Sequence, residues 1–180
     1  MKSIDSLLSR YRRMRLNEER RVKRQAIINV TPADRREQAL ALFEVRCMIE
    51  DTHPDYFNMA TFFAGEADDA ADFTEALNGH ICNSTACIAG FAVARFDKDF
   101  KTGYVDQRYI DYEAKGRDLL HLTRDQANRL FFGKYGPDAE YIVNKGDLDE
   151  VTKEQALFVL DHLIATGNVR WDLATGVADA

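Results

Sequence analysis

The chain has 180 residues, of which 46% are hydrophobic and 30% are charged, with a formal net charge of −6 at pH 7. This length suits one domain, and the apolar content argues against global disorder. No apolar run reaches the ~18 residues that a membrane-spanning helix needs, and the first ten residues lack a signal peptide's apolar core. Together with three cysteines, an odd number, these features predict a cytoplasmic protein without a membrane contact.

Charge is distributed unevenly along the chain. Residues 1–36 contain 11 Lys/Arg against 4 Asp/Glu, a net charge of +7, whereas residues 37–180 contain 13 against 26, a net charge of −13. A basic segment attached to an acidic body indicates a contact with nucleic acid, a contact with a partner, or docking of the segment on its own body.

The basic segment has the period of an amphipathic helix over residues 4–28. Its apolar side consists of Ile4, Leu7, Leu8, Tyr11, Met14 and Val22, and the opposite side carries Arg10, Arg13, Arg20 and Arg24. The four arginines could follow a phosphate backbone, or they could form an ordinary solvated helix face. The apolar side predicts packing on the body or on a second copy of the chain, which would make a homodimer.

The next segment begins with a strong helix start. Thr31 is placed as an N-cap before Pro32, so we expect a helix that runs to about Glu50 and ends before His53.

Residues 51–64 follow as a loop rich in aromatic side chains, among them Tyr56, Phe57 and Phe62. They could form an exposed binding patch or cover a central helix. We favour covering, because large exposed apolar patches are rare in monomers.

Residues 86–94 form a run of nine residues without a charged side chain. The run is rich in alanine, which favours a helix over a strand, and Asn83, Ser84 and Thr85 before it are each able to cap a helix. A helix that is apolar all round must be surrounded by other elements. We therefore predict an all-α fold, a single compact helical domain (31–171) around a buried central helix at about 84–96. A basic amphipathic helical arm (1–30) would precede it and a frayed tail (172–180) would follow.

Further helices are predicted after the central helix. Residues 108–120 have a helical pattern, and two capping boxes, Thr123–Gln126 and Thr152–Gln155, begin helices that should end at Gly133 and Gly167.

Three segments read as motifs: Phe-Asn-Met-Ala-Thr-Phe at 57–62, Cys-Asn-Ser-Thr-Ala-Cys-Ile-Ala-Gly-Phe-Ala at 82–92, and Leu-Leu-His-Leu-Thr at 119–123. Together they resemble a family of uncharacterised small bacterial and phage proteins with a Cys-Gly-Thr-x-Ala-Cys-Ile-Ala-Gly-Trp-Ala core motif. The resemblance spans about residues 50–171 and leaves out the predicted N-terminal helix (1–30). The chain departs from the family at Asn83, Ser84, Phe91 and His121. The resemblance implies the fold and the cytoplasmic setting, and no activity.

Cysteine and histidine residues near the central helix raise two chemical alternatives. His80, Cys82 and Cys87 have the residue types of a zinc site, although the four residues between the cysteines sit at the edge of the usual ligand spacing. Cys82 near a helix start could instead be a thiol nucleophile, whereas Cys87 should lie about one turn inside the helix. The plain alternative is that free cysteines behave as small apolar residues.

No catalytic signature accompanies these residues, so we expect a protein that is not an enzyme, needs no cofactor, and binds a macromolecule through its acidic body and basic helix. A protein partner is the favoured expectation, and the phage-type resemblance suggests an inhibitor of a host defence or nucleic-acid-handling complex. The alternatives are nucleic-acid binding through the N-terminal arginines, and a zinc protein or thiol enzyme.

Overall fold

The computed structural model describes residues 4–59, 63–64, 85–98, 111–133 and 150–175. Seven α-helices lie in these ranges: α1 (Ile4–Val30), α2 (Arg36–Asp51), α3 (Ile88–Phe96), α4 (Tyr112–Leu119), α5 (Arg124–Phe132), α6 (Lys153–Thr166) and α7 (Trp171–Thr175). Short 3₁₀ turns occupy Ala33–Arg35 and Pro54–Tyr56. Two-residue strands β1 (Phe63–Ala64) and β2 (Thr85–Ala86) pair antiparallel, with Phe63 opposite Ala86. The all-α prediction is confirmed. Among the described helices, none is both long and apolar enough to cross a membrane.

The predicted central helix is α3, and it is surrounded by other elements. Every residue from Ile88 to Ala94 is buried, and the helix packs between α2 and α4. Its predicted start at residue 84 was wrong. Thr85 and Ala86 instead form β2, because their backbone pairs with β1, and Cys87 is the N-cap residue with an extended backbone.

Helix α4 approaches α3 through a glycine. A Cβ atom placed on Gly116 would lie 3.1 Å from the Cβ atom of Ala89 and 3.3 Å from the Cζ atom of Phe131. Both neighbours are buried, so neither has room to move away. The small side chain of Ala89 and the absence of one at Gly116 therefore let the two helix backbones approach closely at this crossing.

Among the described helices, α2 and α6 have the most extensive contact with each other. Charged side chains connect the two helices at both ends. At one end Arg35 Nη2 donates hydrogen bonds to the carbonyl oxygens of Leu163 (3.0 Å) and Ile164 (3.2 Å). At the other end Lys153 Nζ donates to the carbonyl oxygen of Thr52 at 2.9 Å. Both cations donate to carbonyl groups at the C-terminal end of a helix, where arginine and lysine side chains stabilise the helix end.

Both capping boxes are present. Thr123 Oγ1 accepts a hydrogen bond from Gln126 N at 3.1 Å, and Thr152 Oγ1 accepts one from Gln155 N at 3.2 Å. In each box the glutamine side chain in turn accepts a hydrogen bond from the backbone N–H of the threonine. Gly133 and Gly167 end these helices with φ of 63° and 81°, the left-handed conformation that glycine adopts without steric cost.

The start of the second helix differs from the prediction. Thr31 and Pro32 lead into the 3₁₀ turn, and α2 begins only at Arg36. A 3₁₀ turn at a helix start is common.

The predicted frayed tail was also wrong over residues 172–175, which belong to α7. Trp171 is 1% exposed, and its Nε1 donates to the carbonyl oxygen of Arg129 at 2.9 Å. Asp172 is buried beside Arg170, with which it forms an ion pair. The apolar ring of Trp171 and its single donor are both satisfied inside the domain, so this turn belongs to the core.

Replacing Trp171 with alanine should lower the free energy of unfolding by about 3–5 kcal/mol, because a buried ring and a hydrogen bond are lost. Urea titration followed by circular dichroism measures this change. Leu173 lies on the same helix and is 51% exposed, so Leu173→Ala should cost less than about 0.5 kcal/mol. Equal effects of the two substitutions would contradict the packing described for α7.

Candidate functional site

The N-terminal helix docks on the body through arginines. Arg20 Nη1 donates to Asp51 Oδ2 at 2.9 Å and its Nη2 to Asp51 Oδ1 at 2.6 Å, and Nη2 also reaches the carbonyl oxygen of Cys47 at 3.3 Å. Arg24 Nε lies 3.8 Å from Glu44 Oε1. The hydrogen bonds that Arg20 donates to Asp51 raise the pKa of Arg20 above its ordinary value, although partial burial opposes this. Two of the four arginines predicted to meet a partner thus face α2.

The predicted apolar side of this helix does not pack on the body where its side chains are described. Met14 and Val22 are 62% and 57% exposed. The prediction failed because α2 presents Glu44, Glu50 and Asp51 to α1, and these carboxylates attract arginine rather than an apolar face. Packing of the apolar side on a second copy stays a prediction.

Residues 12–19 of α1 carry basic side chains that are exposed. Every side chain from 12 to 19 is exposed. Arg15 pairs with Glu19 at 2.9 Å within the helix, whereas Arg12 and Arg13 have no ion pair among the described residues. The side chain of Arg10 lies outside the described part. This segment, residues 12–19, is called the basic arm below.

Phe57 of the aromatic loop covers the central helix, as predicted. Phe57 is buried and stacks on Phe91 of α3, with ring centroids 6.5 Å apart and an interplanar angle of 16°. Met59 is buried as well. Tyr56 is half-buried beside the ring of His53, at 6.0 Å. Phe62 lies outside the described residues. Phe57 is therefore a core residue and offers no binding surface.

The two described cysteines are buried thiols. Burial raises the pKa of Cys87 to about 11, although hydrogen bonds from the backbone of Gly90 and Ala89 act in the opposite direction. We predicted Cys87 about one turn inside the helix. It is instead the N-cap residue. Burial likewise raises the pKa of Cys47, against the opposing charges of Arg20 and Arg46. Neither thiol has the lowered pKa of a nucleophile.

The zinc prediction is only partly accessible to the structure. His80 and Cys82 lie outside the described residues. Within the described ranges, no group of three His, Cys, Asp or Glu side chains is arranged to hold a metal ion.

A cleft lies between α1 and α2 and is bounded by Arg95 from the end of α3. Its volume is about 480 Å³, within the range of small-molecule sites. Its floor contains Phe43, Cys47 and Met48, and four arginines and two carboxylates line its walls. The sequence pattern did not predict this cleft. A signal was present, since residues 44, 47, 48 and 51 share one face of a helix, but nothing in the pattern named α1 as the partner of that face.

Glu50 of α2 lies next to the cleft residue Asp51 and is surrounded by basic side chains. Burial raises the pKa of Glu50, but the hydrogen bond from Arg46 and the charges of Arg46, Lys23 and Arg20 more than offset it, so the pKa lies below its ordinary value. Arg46 Nη1 lies 2.9 Å from Glu50 Oε2 and Arg46 Nε lies 2.6 Å from Asp161 Oδ1. Arg46 thereby connects the α1–α2 contact to α6.

Comparison of the chain with protein-family models, with curated proteins and with solved structures found no match. The resemblance described from the three motifs therefore stays a prediction.

The Arg20–Asp51 contact should hold α1 against α2. In a double-mutant cycle of Arg20→Ala and Asp51→Ala, we expect a coupling of about 0.5–1 kcal/mol, because Asp51 is exposed and water screens the pair. Hydrogen exchange over residues 17–30 should quicken in either variant. The control is Arg21→Ala, which removes an ion pair that lies wholly within α1, and it should leave the contact with α2 unchanged. Zero coupling would show that the contact does not hold the helix.

Cys47 and Cys87 should resist alkylation in the native protein. With a pKa of about 11 for Cys87, only on the order of one thiol in a thousand is ionised at pH 8. Treatment with iodoacetamide at pH 8, followed by peptide mass spectrometry, should leave both residues unmodified until urea is added. Rapid native labelling of Cys87 would contradict its burial.

Proposed function

We propose that this protein is a non-enzymatic macromolecule-binding protein and that the basic arm is its binding element. The main support is that every side chain of the helical segment 12–19 is exposed. Arg12 and Arg13 within it have no ion pair among the described residues. A helix of 27 residues is about 40 Å long. Arg20 and Arg24 in its second half hold the helix on α2, and the side chains of residues 12–19 remain uncovered.

A protein partner fits the composition of the arm. Met14 and Leu16 are exposed among the arginines, and a helix that offers both apolar and cationic side chains suits an acidic groove with an apolar floor. Long-range attraction between the arm and such a groove would speed association and weaken binding as salt increases. Occupying the groove would inhibit whatever the partner does there.

Nucleic acid is the second candidate, favoured by the unpaired guanidinium groups of Arg12 and Arg13. Arg20 and Arg24, two of the four arginines on the basic side of α1, pair with carboxylates of the body. Fewer cations are therefore available to follow a phosphate backbone than the sequence predicted.

The test is a pull-down from lysate with the full chain, with and without nuclease, at two salt concentrations. It compares the wild type with Arg12→Ala/Arg13→Ala and with Met14→Ser/Leu16→Ser. The matched control is Arg117→Ala/Arg124→Ala, which removes two arginines from α4 and α5.

Recovery of one protein that survives nuclease, falls with salt, and is lost in both arm variants but kept in the control would support the proposal. Recovery of nucleic acid that is lost only when the arm arginines are removed would assign the function to the second candidate. Binding that is equal in the arm variants and the control would refute a binding role of the arm.

A further inference from the structure

The cleft between α1 and α2 combines an apolar floor with an excess of arginine. From this combination we infer that it is a binding site for a small organic anion, a phosphate or carboxylate group joined to an apolar body. The inference is independent of what the basic arm binds, because the cleft is built from the docked half of α1.

The shape of the cleft suits a small molecule. A volume of about 480 Å³ would accommodate a ligand of roughly drug size. The floor contains the buried side chain of Phe43 and the half-buried side chain of Met48. Contact with such a floor stabilises a bound ligand, because it removes the apolar part of the ligand from water.

The charges of the cleft are unequally compensated. Arg20 is shared between Asp51 and Glu50, and Arg21 pairs with Glu18 at 2.6 Å. Arg24 and Arg95, in contrast, share the single carboxylate of Glu44, so one positive charge remains uncompensated at this end of the cleft.

The geometry leaves donors for an anion. Arg95 Nη2 donates to Glu44 Oε2 at 3.0 Å, which holds this guanidinium group in place. Arg24 Nε is 3.8 Å from Glu44, beyond hydrogen-bond distance. Since each guanidinium group has five N–H donors, most of those on Arg24 and Arg95 are left for a phosphate or carboxylate, which arginine binds in a bidentate manner. The carboxylate of Glu44 repels the anion, but its single negative charge is outweighed by the two positive charges of Arg24 and Arg95.

The experiment is calorimetric titration of the full chain at one ionic strength with four probes. Phenyl phosphate and benzoate carry both an anionic group and an apolar body, inorganic phosphate lacks the body, and benzyl alcohol lacks the charge. We expect the first two to bind at least about tenfold more tightly than the last two, because only they use both the arginines and the floor.

The variants Arg24→Ala and Arg95→Ala should each weaken phenyl phosphate binding about tenfold, and Arg24→Lys should weaken it less, since the charge is kept without the planar fork. The control Arg15→Ala removes an exposed arginine of the same helix outside the cleft and should leave the dissociation constant unchanged. Circular dichroism establishes that each variant is folded. Absence of binding by phenyl phosphate and benzoate, equal affinity for inorganic phosphate alone, or equal losses in Arg24→Ala and Arg15→Ala would overturn the inference.

Discussion

The fold depends on a helix that has no surface to offer water. From Ile88 to Ala94, α3 is buried on every side, so other elements must cover all of it. Helix α2 covers one side, and α4 comes close on another because Gly116 has no side chain to keep it away from Ala89. Phe57 completes the cover by stacking on Phe91. A charged side chain on α3 within this span would be taken out of water without a partner, at a cost of several kcal/mol.

The basic N-terminal helix and the acidic body form ion pairs with each other within the molecule. The second half of α1 neutralises the acidic face of α2 through Arg20 and Arg24. Individual half-exposed ion pairs are worth little, but together with the packing of the half-buried Ile27 they orient a long helix. As a result, Arg12 and Arg13 of the basic arm have no ion pair among the described residues, while the docked arginines line the cleft.

The position of Cys87 shows two effects in competition. A helix N-terminus stabilises a thiolate, because its backbone N–H groups point toward the sulfur. Burial acts against any charge, and here it is the larger effect, so the pKa rises to about 11. The N-terminal position alone predicts a reactive thiol, and the surrounding core removes that reactivity.

Local rules were enough to predict the helical class, the buried central helix, both capping boxes with their closing glycines, and the covering role of Phe57, because each depends on neighbours in sequence or on apolar content. They misplaced the start of α3, where β1 captures residues 85–86. They also assigned residues 172–175 to a frayed tail, because the hydrogen bond that fixes α7 joins Trp171 to a carbonyl group 42 residues away. They did not identify which face of α1 docks on the body. Amphipathicity identifies two faces of a helix, but only the carboxylates that α2 brings opposite it decide that the arginine face docks, and only that docking creates the cleft.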